Sequence, residues 1–335
     1  MIRIHLTAAD FAGIRFAPRA APLLELNTAL MKLLTPGDEL LFGRWRRRSL
    51  RSLPAAVEAL GDLVPAGRAP GFLDVFDDSL EEGLDAAREW RPDEVRSEIE
   101  RVYAGHPAPP PLWVRDLHRG EAGAWRVLRR AQHTAFDSVL RPVWPVVRDL
   151  HQREFTRHAL AVAEHGLGAA LAGLVPGARL LGSVWELPGA RERDVEPGGR
   201  GLVLRPTFHW NGHPLVSDLP GRPVHVTFPA GPGLPIAPPL TPSGPDDPDR
   251  QEEALARVLG RTRCEMLILL AEEHTTSGLA RRLGVSNATA SAHAAALRGA
   301  GLVTTVRAGR AVLHRRTAMG SLLAGRPAPA RGASG

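Results

Sequence analysis

Cysteine occurs once in the 335 residues, at Cys264. A single thiol excludes an intramolecular disulfide and any zinc site built from several cysteines, and it favours a reducing compartment. Lysine also occurs once, at Lys32, so arginine supplies the rest of the 42 basic side chains. Arginine at that excess, beside abundant alanine, glycine and proline, reflects a GC-rich coding sequence, and no function is read from it. Long apolar runs are missing as well. The most apolar stretch, residues 159–175, contains Glu164, His165 and several glycines, and so falls short of the roughly 20 apolar residues that span a bilayer. It reads as a buried helix, and no membrane association is expected. The opening Met1-Ile-Arg-Ile-His-Leu-Thr has neither the apolar core nor the small-residue cleavage site of a signal peptide, which makes the expected location cytoplasmic. No internal repeat is found.

What is present is an ordinary globular composition, 44% hydrophobic and 23% charged, in a chain long enough for two domains. The charge is unevenly placed. From Arg250 onward 13 arginines face 5 acidic residues, whereas the remainder of the chain is slightly acidic. A short basic region of that kind is the electrostatic footprint of a nucleic-acid-binding module, the plainer alternative being a solvated basic surface. Just before it, residues 229–249 carry eight prolines, which marks a linker or an extended strap.

Upstream, Ile2, Ile4 and Leu6 alternate as a short strand. Asp10 then caps a segment whose leucines between Leu23 and Leu34 recur at helical spacing. Residues 53–63 and 93–103 look amphipathic, and residues 121–172 read as two long helices broken near Pro142 and Pro145. The runs 180–187, 201–207 and 224–228, separated by glycine and proline, suggest a small sheet that closes the N-terminal domain.

The region after Glu252 is the most regular. Leu255, Val258 and Leu259 mark one helix, and Cys264, Leu267, Ile268 and Leu270 a second. In Leu279-Ala-Arg-Arg-Leu-Gly-Val, Leu279, Ala280 and Leu283 face inward and Gly284 ends the helix. Ser286 caps a further helix from Asn287 to about Gly299, with Ala290, Ala294 and Leu297 inward and Thr289, Ser291, His293 and Arg298 largely free. Two helices joined by a tight glycine turn form a helix-turn-helix, whose second helix presents polar side chains to base edges in the major groove. The following run, Val303 to Arg316, alternates β-branched and polar residues about Ala308-Gly309. It reads as a basic hairpin, a wing, with Arg307 and Arg310 at its tip placed for phosphates or the minor groove.

The order Leu279-Ala-x-x-Leu-Gly-Val-Ser-x-x-Thr-x-Ser-x-His-x-x-x-Leu-x-x-Ala-Gly-Leu-Val resembles the winged helix-turn-helix of ArsR/SmtB-type bacterial regulators, over about Glu252 to Leu323. The resemblance implies that Ser286, Asn287, Thr289, Ser291 and His293 lie on the DNA-reading helix. The long N-terminal part, with stretches such as Val143-Trp-Pro-Val-Val-Arg, resembles the effector-like region of a group of actinobacterial ArsR-like regulators. Two departures bear on mechanism. Metal-sensing members carry a Cys-x-Cys pair before the recognition helix, where this chain has Ser277-Gly-Leu-Ala-Arg, and residues 317–325 supply none of the ligands of the other familiar sensor site. Metal sensing is therefore not expected, and no metal or cofactor is assigned.

Other motifs carry less. His209 and His213 have a spacing that suits a helix but lie among strand and turn signals, so a zinc role is not favoured. Gly198-Gly-Arg-Gly is a turn lacking the third glycine of a dinucleotide fingerprint and the lysine of a phosphate loop. Arg44-Trp-Arg-Arg-Arg reads as a solvated face, with nucleic-acid contact as its alternative. Cys264 reads as a small core residue, His293 has local packing or capping as its plainer role, and no Gly-x-Ser-x-Gly nucleophile setting exists.

The sequence thus predicts a mainly α fold with small β: a helical N-terminal domain (residues 1–228) closed by a small sheet, a proline-rich linker (229–250), a winged helix-turn-helix (251–325) and a disordered tail (326–335). The expected function is sequence-specific regulation of transcription, as a homodimeric repressor on double-stranded DNA, without catalysis. The N-terminal domain is expected to bind a small apolar effector or to support assembly. The expected DNA-binding residues are Ser286, Asn287, Thr289, Ser291, His293, Arg298, Arg307 and Arg310. Two rival classes are an enzyme domain fused to a DNA-binding module and a winged helix that binds another protein.

Overall fold

The first sixteen residues contribute one strand to each of two sheets, and these sheets organise the N-terminal half. A computed structural model describes residues 1–34, 37–67, 69–231, 236, 248–308 and 311–324. The chain divides into two units, Met1–Ile236 and Ala237–Gly335.

In the first unit, Ile2–His5 lies inside a four-stranded sheet, antiparallel to Val184–Leu187 and parallel to Arg193–Val195, with Arg179–Leu181 outermost. The alternation of Ile2 and Ile4 becomes alternation of burial, with Ile4 opposite Trp185. Trp185 is fully buried and its indole N–H donates to the Leu171 carbonyl at 3.2 Å. The second sheet runs Arg15–Phe16, Leu202–Thr207, Val224–Pro229, Leu215–Ser217; its first three strands are parallel and the last is antiparallel. All six residues of Leu202–Thr207 are buried, as expected of a parallel strand covered on both faces. Two sheets therefore stand where the sequence suggested one, because the closing strands recruit partners from about 180 residues upstream.

Helices complete the unit. Ala122–Val139 buries Ala124, Leu128, Ala131, Ala135 and Val139 at three- and four-residue spacing, and Trp144–Ala172 follows after the short turn Arg141–Val143, the break expected at Pro142 and Pro145. Pro92–Tyr103 forms as anticipated. Three expectations need correction. The leucine-rich helix starts at Pro22, whereas Asp10 belongs to the short helix Ala8–Ala12, in a capping box with Thr7. Residues 53–63 are a 3₁₀ turn, Ala55–Val57, and a one-turn helix, Glu58–Asp62. Residues 159–175 are not a buried helix. No residue from 159 to 169 is buried, and Gly166 (φ 80°, ψ 163°) interrupts the helix.

The expected linker falls mostly outside the described residues, as does the tail 326–335; the last strand of the second sheet reaches Pro229 and the first helix of the second unit begins at Pro248. Both units are mainly helical with small sheets, and the second is a winged helix. Among the described residues no helix is long and apolar enough to cross a membrane.

Candidate nucleic-acid interface

The second unit is built around ten buried residues, Met266, Leu267, Leu270, Leu279, Ala280, Ala290, Ala294, Leu297, Leu302 and Val303. Leu255 and Leu259 of the helix Pro248–Leu259 pack against them, but Val258, grouped with them on periodicity, is 82% exposed. On the helix Arg261–Leu269, Cys264 is buried and its thiol lies 3.6 Å from the Glu252 carbonyl; burial, then Glu252 and Glu265, push its pKa up. An inert packing thiol has these properties.

The helix-turn-helix follows from local chemistry. Thr275 accepts a hydrogen bond from the Gly278 N–H and starts the helix Thr276–Leu283. Gly284 (φ 64°, ψ 30°) ends it in the left-handed conformation, which favours glycine, while the Val285 N–H reaches back to the Ala280 carbonyl at 3.0 Å. Ser286 then accepts from the Thr289 N–H at 3.1 Å and opens the helix Asn287–Gly299. Ala290, Ala294 and Leu297 turn inward. Two alanines on the packed face let this helix lie close to its neighbour and leave the opposite face outward.

The residues singled out from sequence flank that packed stripe, Thr289 and His293 on one side and Asn287 and Ser291 on the other. Ser286, Asn287, Thr289, Ser291 and Arg298 are exposed and His293 is half-buried. The Ser286 hydroxyl is also 2.8 Å from the Thr289 hydroxyl, so Ser286 is occupied in capping and Thr289 is held at the first turn of the helix. Arg298 stands near the other end, over a turn beyond His293. The structure thus brings Asn287, Thr289, Ser291 and His293 onto one helix, with Arg298 at its C-terminal end.

The wing is a hairpin of Val303–Ala308 and Ala311–Arg316, in register from Val303 opposite Arg316 to Ala308 opposite Ala311. A third strand, His274–Thr275, pairs with Ala311–Arg316 and joins the wing to the start of the helix-turn-helix. Arg307 is exposed and faces Val312 across the hairpin. Arg310 lies outside the described residues. Exposed Arg281, Arg282 and Arg315 add positive charge, and none of these three was singled out beforehand.

His314 is the functional candidate that sequence reasoning missed. It is buried on the second wing strand, with Nε2 2.9 Å from the Thr276 hydroxyl and Nδ1 3.0 Å from the Thr305 hydroxyl. One imidazole thereby pins both wing strands to the first turn of the helix-turn-helix. Burial lowers its pKa, and the charge of Arg298 lowers it further. The partners are far from His314 in sequence or on the opposite strand, so only a correctly paired hairpin exposes the relationship.

The weaker motifs resolve into structural roles. His209 is fully buried, with Nδ1 2.7 Å from Glu25 Oε1 and Nε2 3.0 Å from the Ile236 carbonyl, while His213 is exposed. Gly199 and Gly201 donate their N–H groups to Asp10 Oδ1 at 2.8 and 3.0 Å. Burial raises the Asp10 pKa, but hydrogen bonds from Thr7, Gly201 and Gly199 outweigh it and hold the carboxylate below its ordinary value. Within the arginine run, Arg46 is buried and donates to the Lys32 and Gly37 carbonyls, and Arg44 and Arg47 are exposed. Among the described residues no group of three His, Cys, Asp or Glu side chains is placed to hold a metal ion.

Residues 261–305 match the family described as bacterial regulatory protein, arsR family. The C-terminal helix-turn-helix is similar to that of the arsR family. The match begins at the helix Arg261–Leu269 and ends in the first wing strand, so the matched segment contains every expected recognition-helix residue and does not reach the N-terminal unit. Searches of curated proteins and of solved structures return no match for the chain.

Proposed function

We propose that this chain is a sequence-specific repressor of transcription that acts in the cytoplasm as a homodimer on double-stranded DNA. The observation that carries the reading is the face of the Asn287–Gly299 helix. Ala290, Ala294 and Leu297 fix its packed side, and Asn287, Thr289, Ser291 and His293 are left to meet base edges. Arg307, an exposed arginine of the wing, and Arg298 at the helix end supply phosphate contacts that position the module without reading sequence. Two-fold symmetry follows from the function, since a dimer reads two half-sites about one helical turn of DNA, or a multiple, apart. The likeness of this module to the arsR family supports regulation through DNA.

The N-terminal unit takes a small apolar effector in this reading, and no catalysis is assigned to it. A cleft lined by Ile99, Glu100, Tyr103, Pro110, Arg115, His118 and Arg119 is one place to look for that effector. The experiment that tests the function is selection of bound duplexes by the purified full chain from a random pool. The expected outcome is an enriched, two-fold symmetric motif.

A further inference from the structure

We infer that two copies of this chain meet through the exposed face of the helix Trp144–Ala172, running antiparallel with Leu160 near the two-fold axis. The inference rests on the homodimer reading above and supplies the surface which that reading lacks.

The packed side of this helix is marked by His151 and His158, two turns apart and 1% and 2% exposed. His151 Nε2 is 2.9 Å from the Ala17 carbonyl, and His158 stacks on Phe16 with ring centroids 4.6 Å apart. Leu160 follows His158 by two residues, about 200° further round the helix, and is 54% exposed. From there to residue 169 nothing is buried, although seven of the eleven residues 159–169 are alanine, valine or leucine. A helical segment of this length draws its stability from packing rather than from propensity. Ala161, Val162, Leu167 and Gly168 are half-buried against the unit, whereas Leu160 is left outward and is expected to gain cover from a partner.

The charges on the face select a second copy as that partner. Arg153, Arg157, Leu160 and Glu164 follow one another at spacings of four, three and four, so they share one side of the helix. Arg153 is paired at 2.9 Å with Asp149, one turn before it on the same side, so the charges that face a partner are Arg157, N-terminal to Leu160, and Glu164, C-terminal to it. Antiparallel two-fold pairing sets Arg157 of each copy against Glu164 of the other, and by symmetry the match occurs twice. Parallel pairing would oppose like charges at both ends. Glu164 is 65% exposed with His165 as its neighbour at 3.8 Å, and the Arg157 side chain is 56% exposed although it already donates to Glu154 at 2.6 Å. Both are available at the surface. The face ends where Gly166 leaves the helical conformation.

Light scattering and sedimentation of the full chain, without DNA, test this. The parent is expected at twice the chain mass. Leu160→Arg should raise the dissociation constant at least about tenfold with unchanged circular dichroism. Arg157→Glu and Glu164→Arg should each self-associate more weakly than the parent, and an equimolar mixture of the two should regain affinity, because both contacts in the mixed dimer pair opposite charges. That recovery also shows that both variants are folded. Parental dimerisation by Leu160→Arg, or a mixture no tighter than its components, overturns the surface and leaves the homodimer intact with another interface. A monomeric parent overturns the homodimer reading and this inference together, while the selection experiment on DNA judges the regulator reading independently.

Discussion

His314 is the residue whose replacement separates wing geometry from charge. Its imidazole spans two threonine hydroxyls, so His314→Ala leaves the Thr276 and Thr305 hydroxyls without that partner and opens a hole beneath the hairpin. A hydrogen bond of this kind contributes about 0.5–1.5 kcal/mol net, so losing two should destabilise the second unit by about 1–3 kcal/mol in chemical denaturation. An unchanged midpoint would show that the latch contributes nothing. His158 bears on the first unit through pH. Burial, then the neighbouring Arg157 charge, bring its pKa down to about 4, and Arg157 donates to its Nε2 at 2.9 Å. The unfolded chain takes up a proton near the ordinary value of 6.5 and the folded chain does not until about 4. The contribution of His158 is therefore complete above pH 6.5 and is lost as pH falls through that window, at about 1.4 kcal/mol for each unit of separation. His158→Phe keeps a ring against Phe16 and removes the titration. It should flatten the loss of thermal stability between pH 6.5 and 4, and an identical pH profile for variant and parent would refute the assignment.

Among the elements, the proposed function assigns the wing and the recognition helix separable contributions. Arg307 is exposed on the hairpin and reads no base in this account. Arg307→Ala should weaken specific and non-specific DNA binding together and reduce the slope of log K against log salt by about 0.9 for one phosphate contact. A constant slope would place the wing away from the backbone. Legibility in the sequence also divides by element. The helix-turn-helix could be read in advance because its determinants are local: Gly284 for a left-handed stop, Ser286 for a cap, and Ala290, Ala294 and Leu297 for a packed stripe. The sheets could be read only as isolated strands, since Ile2–His5 finds its neighbours at Val184–Leu187 and Arg193–Val195, and short-range periodicity carries no information about such partners. Hydropathy misplaced residues 159–175 for a related reason. It records that a segment is apolar and not whether anything covers it. Asp10 was misassigned because a carboxylate in a helix-start pattern looks alike whether it caps the next helix or, as here, closes a box with Thr7 and accepts from Gly199 and Gly201.

At the scale of the whole molecule, a winged helix similar to the arsR family follows a far larger unit with two sheets and a long helix left partly uncovered. The basic excess lies in the C-terminal region, which places electrostatic attraction for DNA there, and the proposed dimer face lies on Trp144–Ala172. The central claim is that the helix Asn287–Gly299 reads bases. The most direct measurement is duplex selection from one random pool by the parent chain and by the Thr289→Ala, His293→Ala double variant. Each lost base contact is worth about 1–3 kcal/mol of discrimination, so the parent should enrich a defined motif while the double variant, equally folded, enriches a degenerate one. Enrichment of the same motif to the same depth by both proteins, or of none by the parent, would contradict the account.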